Sequence, residues 1–386
     1  MIVYNKEELE NVTLLDQAQS LEKAGFMNKK QYDEISKELI IPKRHNNLLI
    51  RGAFFLLGIF LYSSICSFFT LIIVDLIAEN FKILIFLYAL VGFVAAEFLS
   101  KQKFYGYGLD DAFIVGAQLT LALAIGISTD GNGLIISLIL MITSLLSYLR
   151  YMHLSMALLF FFATTSSLVY TLFELGATGK TILPFVLMLF SAGIYYSSKP
   201  ILKNLKPTFY HKGVLLANSF SLILFYLSGN YLVVRELSVA LLGAEIDPNS
   251  DISFAYFFYA FTFIVPAAYL VYSLLKKDRI MLWIGASAMT FSIYSIRFYY
   301  AILPIETFLT IAGLLLFACT YFAMKKLKNK ATGITFRLDR FTKANAFMNS
   351  EALIASQLGL KPETVLESDM EFGGGGFSGG GSSGEF

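Results

Sequence analysis

The chain is a succession of long apolar runs separated by short polar breaks. Runs of about 20 apolar residues read as membrane-crossing helices, because in lipid a helix satisfies every backbone amide within its own segment. On that rule ten spans are expected, at 48–74, 81–99, 111–128, 133–149, 152–173, 181–198, 212–231, 253–275, 280–299 and 304–324. The runs are continuous rather than alternating, which excludes a transmembrane β-barrel. The stretch from Tyr231 to Leu242 reads either as an extension of the seventh span or as a helix along the surface. The expected fold class is all-α, a polytopic bundle.

Composition agrees with that pattern. Of 386 residues, 56% are hydrophobic and only 15% are charged, against ~25% charged in a soluble domain. So little charge cannot cover so much apolar surface in water. The formal net charge of +2 gives no footing for a nucleic-acid partner. Cys66 and Cys319 both fall inside apolar runs, so no disulfide framework is implied. The first apolar run starts near Asn47 behind a charged segment, so the first span, rather than a cleaved signal peptide, is expected to direct insertion. Threading ten spans places 17 flanking Lys and Arg residues on the side of the N-terminus and four on the other. The positive-inside rule then predicts both termini in the cytoplasm.

Four regions follow: 1–46, 47–325, 326–371 and 372–386. The first reads as a helical hairpin. Gly25 suits the end of its first helix, and Asn28 with Gln31 three residues on approximates a capping box. Leu14, Ala18 and Leu21 share a face, as do Tyr32, Ile35 and Leu39, so a seam between the two helices is expected. Residues 47–325 form the membrane domain and 326–371 are mixed, with a short helix expected from Ser350 to Leu358. The last fifteen residues, FGGGGFSGGGSSGEF, hold almost nothing to bury. Their spaced Phe372, Phe377 and Phe386 make a candidate docking peptide on a flexible tether, set against an inert tail.

The hairpin sequence LDQAQSLEKAGFMNKKQYDEISKEL, the spans after it and the stretch GYGLDDAFIVGAQLTLALAIG resemble a broad family of bacterial polytopic membrane proteins with an N-terminal cytoplasmic hairpin. That resemblance implies the architecture and carries no assigned chemistry. The last fifteen residues are similar to the glycine-aromatic tails of membrane-anchored TPM-domain proteins, which implies at most a shared docking mode.

Candidate chemistry is sparse. His45, His153 and His211 all sit near span ends, and no pair has helical metal-ligand spacing. Gly106-Tyr107-Gly108-Leu109-Asp110 is one residue out of register with a G-x-G-D intramembrane protease run, and Ser287 lacks a histidine at comparable depth. No complete catalytic constellation, cofactor site or metal site is therefore expected. Polar stripes remain: Asp111 and Gln118 on the third span, Asn218 and Ser221 on the seventh, and Ser287, Thr290, Tyr294 and Arg297 on the ninth. Polar membrane residues line cavities or tie helices together. Two readings stay open: a non-enzymatic component or scaffold of a membrane complex, contacting protein partners through its termini, and a five-plus-five inverted-repeat secondary transporter. The lipid bilayer is the partner common to both, and no feature sets an oligomeric state.

Overall fold

The computed structural model describes residues 2–23, 25–45, 47–77, 81–204, 210–242, 251–276 and 278–299, with scattered positions between 307 and 325. Among the described residues the chain forms twelve α-helices and no strand, apart from one isolated bridge between Lys43 and Phe104. The N-terminal pair is α1 (Lys6–Lys23) and α2 (Lys29–Glu38). The bundle follows as α3 (Leu48–Ile77), α4 (Phe81–Lys101), α5 (Leu109–Ser128), α6 (Gly133–Tyr151), α7 (Leu154–Glu174), α8 (Gly176–Asn204), α9 (His211–Gly229), α10 (Tyr231–Leu242), α11 (Ala255–Lys276) and α12 (Arg279–Tyr299).

Eight of these helices, α3 to α9 and α11, are long and apolar enough to cross a membrane. The protein is thus an all-helical polytopic membrane protein. At 21 residues, α12 has the length but carries Ser287, Thr290, Ser292 and Ser295 between terminal arginines. The tenth expected span, 304–324, lies mostly outside the described residues, as do 326–371 and the tail phenylalanines Phe372, Phe377 and Phe386. Expected and observed limits differ most at α8, which runs through Gly179 and Pro200. Pro184 and Pro200 both lie inside it, each removing one intrahelical hydrogen bond.

Packing inside the bundle follows membrane rules. Between helices in lipid no hydrophobic drive operates, so small residues that let backbones approach make the contacts. Ala89, Gly92 and Ala96 of α4 are buried beside Ala112, Ala117 and Ala124 of α5. A Cβ at Gly92 would come 2.9 Å from the Cα of Ala117. The opposite side of α4 shows Leu90, Val94 and Phe98 about 60% exposed, as suits a face turned to acyl chains.

Residues 231–242 neither extend α9 nor lack structure. Asn230 adopts an extended conformation that stops α9, and its Oδ1 accepts from the Val233 amide at 3.2 Å, starting α10 as a separate helix. Twelve residues rise about 18 Å, too short to cross a bilayer core of about 30 Å.

The hairpin differs from the expected seam. The Asn28 capping box forms in both directions, with Gln31 N–H donating to Asn28 Oδ1 at 2.8 Å and Asn28 N–H to Gln31 Oε1 at 2.9 Å. On α1, however, Leu14 and Leu21 are half exposed, while Leu9, Val12, Leu15 and Ala18 are buried. That set contains Leu9 within a cluster of Tyr4 and Met152, flanked by Tyr105, Tyr148 and Tyr210. α1 therefore packs on the membrane domain through Leu9 as well as against α2, where Tyr32, Ile35 and Leu39 are half-buried. α2 has no buried residue.

Candidate functional site

The densest concentration of buried charge lies at the hairpin end of the bundle, at the start of α5. The loop Gly106–Gly108 folds around the carboxylate of Asp110: the amide of Gly106 donates to Oδ2 at 2.7 Å, and those of Tyr107 and Gly108 to Oδ1 at 3.0 Å. Gly106 and Gly108 both have positive φ (64° and 106°), and a Cβ on Gly108 would lie 2.2 Å from the Arg51 carbonyl oxygen. Only glycine fits there. Asp110 and Asp111 occupy the first turn of α5, where the helix dipole favours negative charge.

Arg51 of α3 donates from Nε and Nη2 to Asp111 Oδ2 at 2.7 and 2.6 Å. His153, in the two-residue turn between α6 and α7, donates from Nδ1 to Asp111 Oδ1 at 2.6 Å. Its Nε2 faces Asp110 Oδ2 at 3.2 Å. Burial opposes a charge on His153, but the two carboxylates prevail and hold its pKa up at about 9. With His153 protonated, two carboxylates face two cations and the cluster is neutral as a unit. Asp110 is 0% exposed, while the Arg51 side chain keeps 41% of its surface open.

The first residues of the chain close over this cluster. Tyr105 meets His153 edge-on at 5.7 Å between ring centroids, and Tyr4 meets Tyr105 at 5.2 Å. Tyr4 Oη donates to the Phe104 carbonyl at 2.7 Å, and the Val3 amide donates to the Arg150 carbonyl at 3.1 Å. Burial pushes the Tyr105 phenol up to about 12, keeping it neutral over the ion pairs. Farther along α1, Glu8 accepts from Lys103 Nζ at 2.5 Å. Asp16 accepts from Arg44 at 2.6 Å and from Lys212 at 2.8 Å. Burial works against the Asp16 charge, yet Lys212 and Arg44 together hold its pKa below the usual carboxylate value.

What this arrangement can do chemically is limited by how fully its atoms are used. Ligand atoms of Asp110, Asp111 and His153 lie within 4.8 Å of one another, a spacing a cation could bridge. A metal needs the deprotonated imidazole and free carboxylate lone pairs. Here Nδ1 carries the proton shared with Asp111, Arg51 takes the other Asp111 oxygen, and Asp110 is spent on three backbone amides. The contacts present form an ionic lock. The Gly106–Asp110 run does not form a protease dyad, since the second aspartate is its own chain neighbour and not a residue of another span.

A second buried polar network joins α9, α11 and α12. Asn230 Nδ2 donates to Tyr226 Oη at 2.8 Å and to Ser295 Oγ at 3.3 Å. Tyr226 Oη meets Ser292 Oγ at 2.8 Å, and Ser292 Oγ donates to the Thr262 carbonyl at 2.6 Å. The Tyr231 amide, freed at the start of α10, donates to Thr262 Oγ1 at 3.0 Å. No formal charge is involved.

The stripe residues are placed separately. Asp111 belongs to the ionic cluster. Gln118 joins α5 to α6, donating to Ser147 Oγ at 2.9 Å and accepting from Thr143 Oγ1 at 3.0 Å. Asn218 joins α9 to α8 through Ser198 Oγ at 3.1 Å, and Ser221 Oγ bonds back to the Asn218 carbonyl. Ser287, Thr290 and Tyr294 lie on the exposed side of α12, Thr290 bonding its own helix at the Ala286 carbonyl. Arg297 is half-buried in the last turn of α12. Gln118, Asn218, Thr290 and Tyr294 do not border one cavity. Residues that the spacing argument passed over, Asp110, His153, Arg51, Asn230 and Tyr226, are the ones brought together. Compared with known proteins, the chain matches no family model, no curated protein sequence and no solved structure.

Proposed function

We propose that the protein is a non-enzymatic, ten-span scaffold of the bacterial cytoplasmic membrane, both termini in the cytoplasm, that presents its N-terminal hairpin to a protein partner. The observation that carries this reading is the contrast within the hairpin. α1 is fixed to the bundle by Tyr4, the Glu8–Lys103 pair and the Asp16–Arg44–Lys212 pairs. α2 buries nothing, and Phe26 and Ile40 beside it are 62% and 69% exposed. A helix anchored through its hairpin partner, with Tyr32, Ile35 and Leu39 only half-buried, is a mount for a groove-bearing partner. The Phe372–Phe386 tail adds a second, tethered contact in this reading.

The test is affinity purification from native membranes with mass spectrometry, comparing the intact chain with Ile35→Glu and with a chain ending at residue 371. One protein set should be lost with Ile35→Glu while membrane insertion is unchanged. An identical protein set from all three chains would reject the scaffold reading. For orientation, a cysteine at Asn132 in a Cys-free background should label from outside, and one at Asn204 only after permeabilisation.

The alternative, a secondary transporter, is favoured by one observation: the charges of Asp110, Asp111 and His153 are buried where ionisable membrane residues commonly couple ions. Against it, those charges are mutually satisfied and the polar stripes are dispersed. Substrate-dependent proton flux in liposomes that vanished in His153→Gln would favour transport.

A further inference from the structure

At the far end of the bundle, opposite the hairpin, a half-enclosed cavity of about 220 Å³ opens between α7, α8, α9 and α10. Its walls are Val169 and Phe173 of α7, Leu187 of α8, Leu224 of α9, and Val234 and Leu237 of α10. Three hydroxyls border it, but each is already committed: Thr165 to the Phe161 carbonyl, Ser228 to that of Phe225 and Ser238 to that of Val234. No hydroxyl proton remains to bind a polar solute. The interior behaves as a purely apolar slot, larger than the ~150 Å³ that keeps an apolar cavity dry and lets it accept a hydrocarbon guest. Lys180, in the first turns of α8, is the single charged residue of the lining, its ammonium 5.9 Å from the Phe173 ring centroid. Pro184, one turn further on, has no N–H for the Lys180 carbonyl, so the helix wall loosens beside this cation.

We propose that this cavity holds one acyl chain of an anionic phospholipid, with the lipid phosphate against Lys180. The chemistry selects this occupant. An apolar slot without free donors takes a hydrocarbon chain, a cation at its rim takes an anion, and α10, too short to span, supplies the fourth wall. A neutral or zwitterionic lipid would fill the slot without using Lys180. A soluble anion would use Lys180 without using the slot.

The experiment is native mass spectrometry of the full chain reconstituted in equal parts phosphatidylglycerol and phosphatidylcholine, then stripped stepwise with detergent. The intact protein should retain one lipid, enriched in phosphatidylglycerol by about fivefold, the factor one basic residue contributes beside an anionic membrane surface. Val234→Trp, which fills the slot, should lose the retained lipid. Lys180→Gln, which leaves the slot open, should keep a lipid but lose the preference. Retention unchanged in Val234→Trp overturns the acyl-chain site, and an undiminished preference in Lys180→Gln overturns the phosphate contact. If Val234→Trp fails to fold, Leu237→Phe is the smaller filling, read by the same loss of retention.

Discussion

The two buried polar regions solve the same problem with different chemistry. At the hairpin end, Asp110, Asp111, Arg51 and His153 use full charges; among α9, α11 and α12, Tyr226, Asn230, Ser292 and Ser295 use only neutral groups. Position explains the choice. Asp110 and His153 sit at the very ends of their helices, next to an Arg51 that still reaches solvent. Ser292 and Thr262 each lie seven residues inside the far ends of α12 and α11, about 10 Å along the axis at 1.5 Å per residue. Burying an ion costs several kcal/mol even after relaxation, whereas a hydroxyl can be satisfied by one neighbour. Charge is used where water or chain ends can balance it, and neutral donors where only helices are available.

The comparison is broken most forcefully at Asp110. Asp110→Ala leaves three amides without their acceptor and removes one of the two carboxylates facing His153, and is expected to cost about 3–5 kcal/mol, read from unfolding in detergent micelles. A loss below about 1 kcal/mol would mean the cluster holds nothing. Next comes pH. His153 is raised in the folded protein to about 9 from an ordinary 6.5, so its contribution is complete below about pH 6.5 and disappears as pH climbs through 9. That window is worth roughly 3 kcal/mol. His153→Gln should flatten the stability profile between pH 6 and 10, while the neutral network predicts no matching dependence. Gly108→Ala tests the loop that wraps Asp110: positive φ and collision with the Arg51 carbonyl should cost about 1–3 kcal/mol. Smallest is Asn230→Ala, expected near 1 kcal/mol, the scale of interhelical hydrogen bonds in membranes. A loss at Asn230 matching that at Asp110 would erase the distinction between the two regions.

How much of this was legible in the sequence follows from the same physics. Apolar runs set by bilayer thickness gave the limits of α3 to α7 within a few residues, because each run is bounded by Gly, Asn or charge. The break at Asn230 was legible only as one of two alternatives, because Ser228-Gly229-Asn230 marks a stop while the apolar run resumes at Tyr231; that the helix stops to feed the Tyr226–Ser295 network depends on α11 and α12. The site was harder still. Same-face spacing pairs residues within one helix, whereas Asp111 meets Arg51 and His153 from three different segments. One local signal was present, two glycines with an aspartate at the opening of a span, whose freed amides bind the Asp110 carboxylate. On α1, periodicity identified an apolar face, but the burial of Leu9 and Leu15 in place of Leu14 and Leu21 depended on a partner surface that the hairpin sequence does not contain.

The clasp at Val3 and Tyr4 also sets a schedule for biosynthesis. Tyr4 bonds to Phe104 and Val3 to Arg150, so the segment ahead of α1 must wait for about 150 more residues to be made before its contacts exist. At 5–20 residues per second that delay is roughly 7–30 s. During it, Leu9, Val12 and Leu15, the apolar face of an otherwise polar α1, have no bundle surface to cover. The clasp can therefore close once α3 to α6 have been made, before α7 to α12 are added.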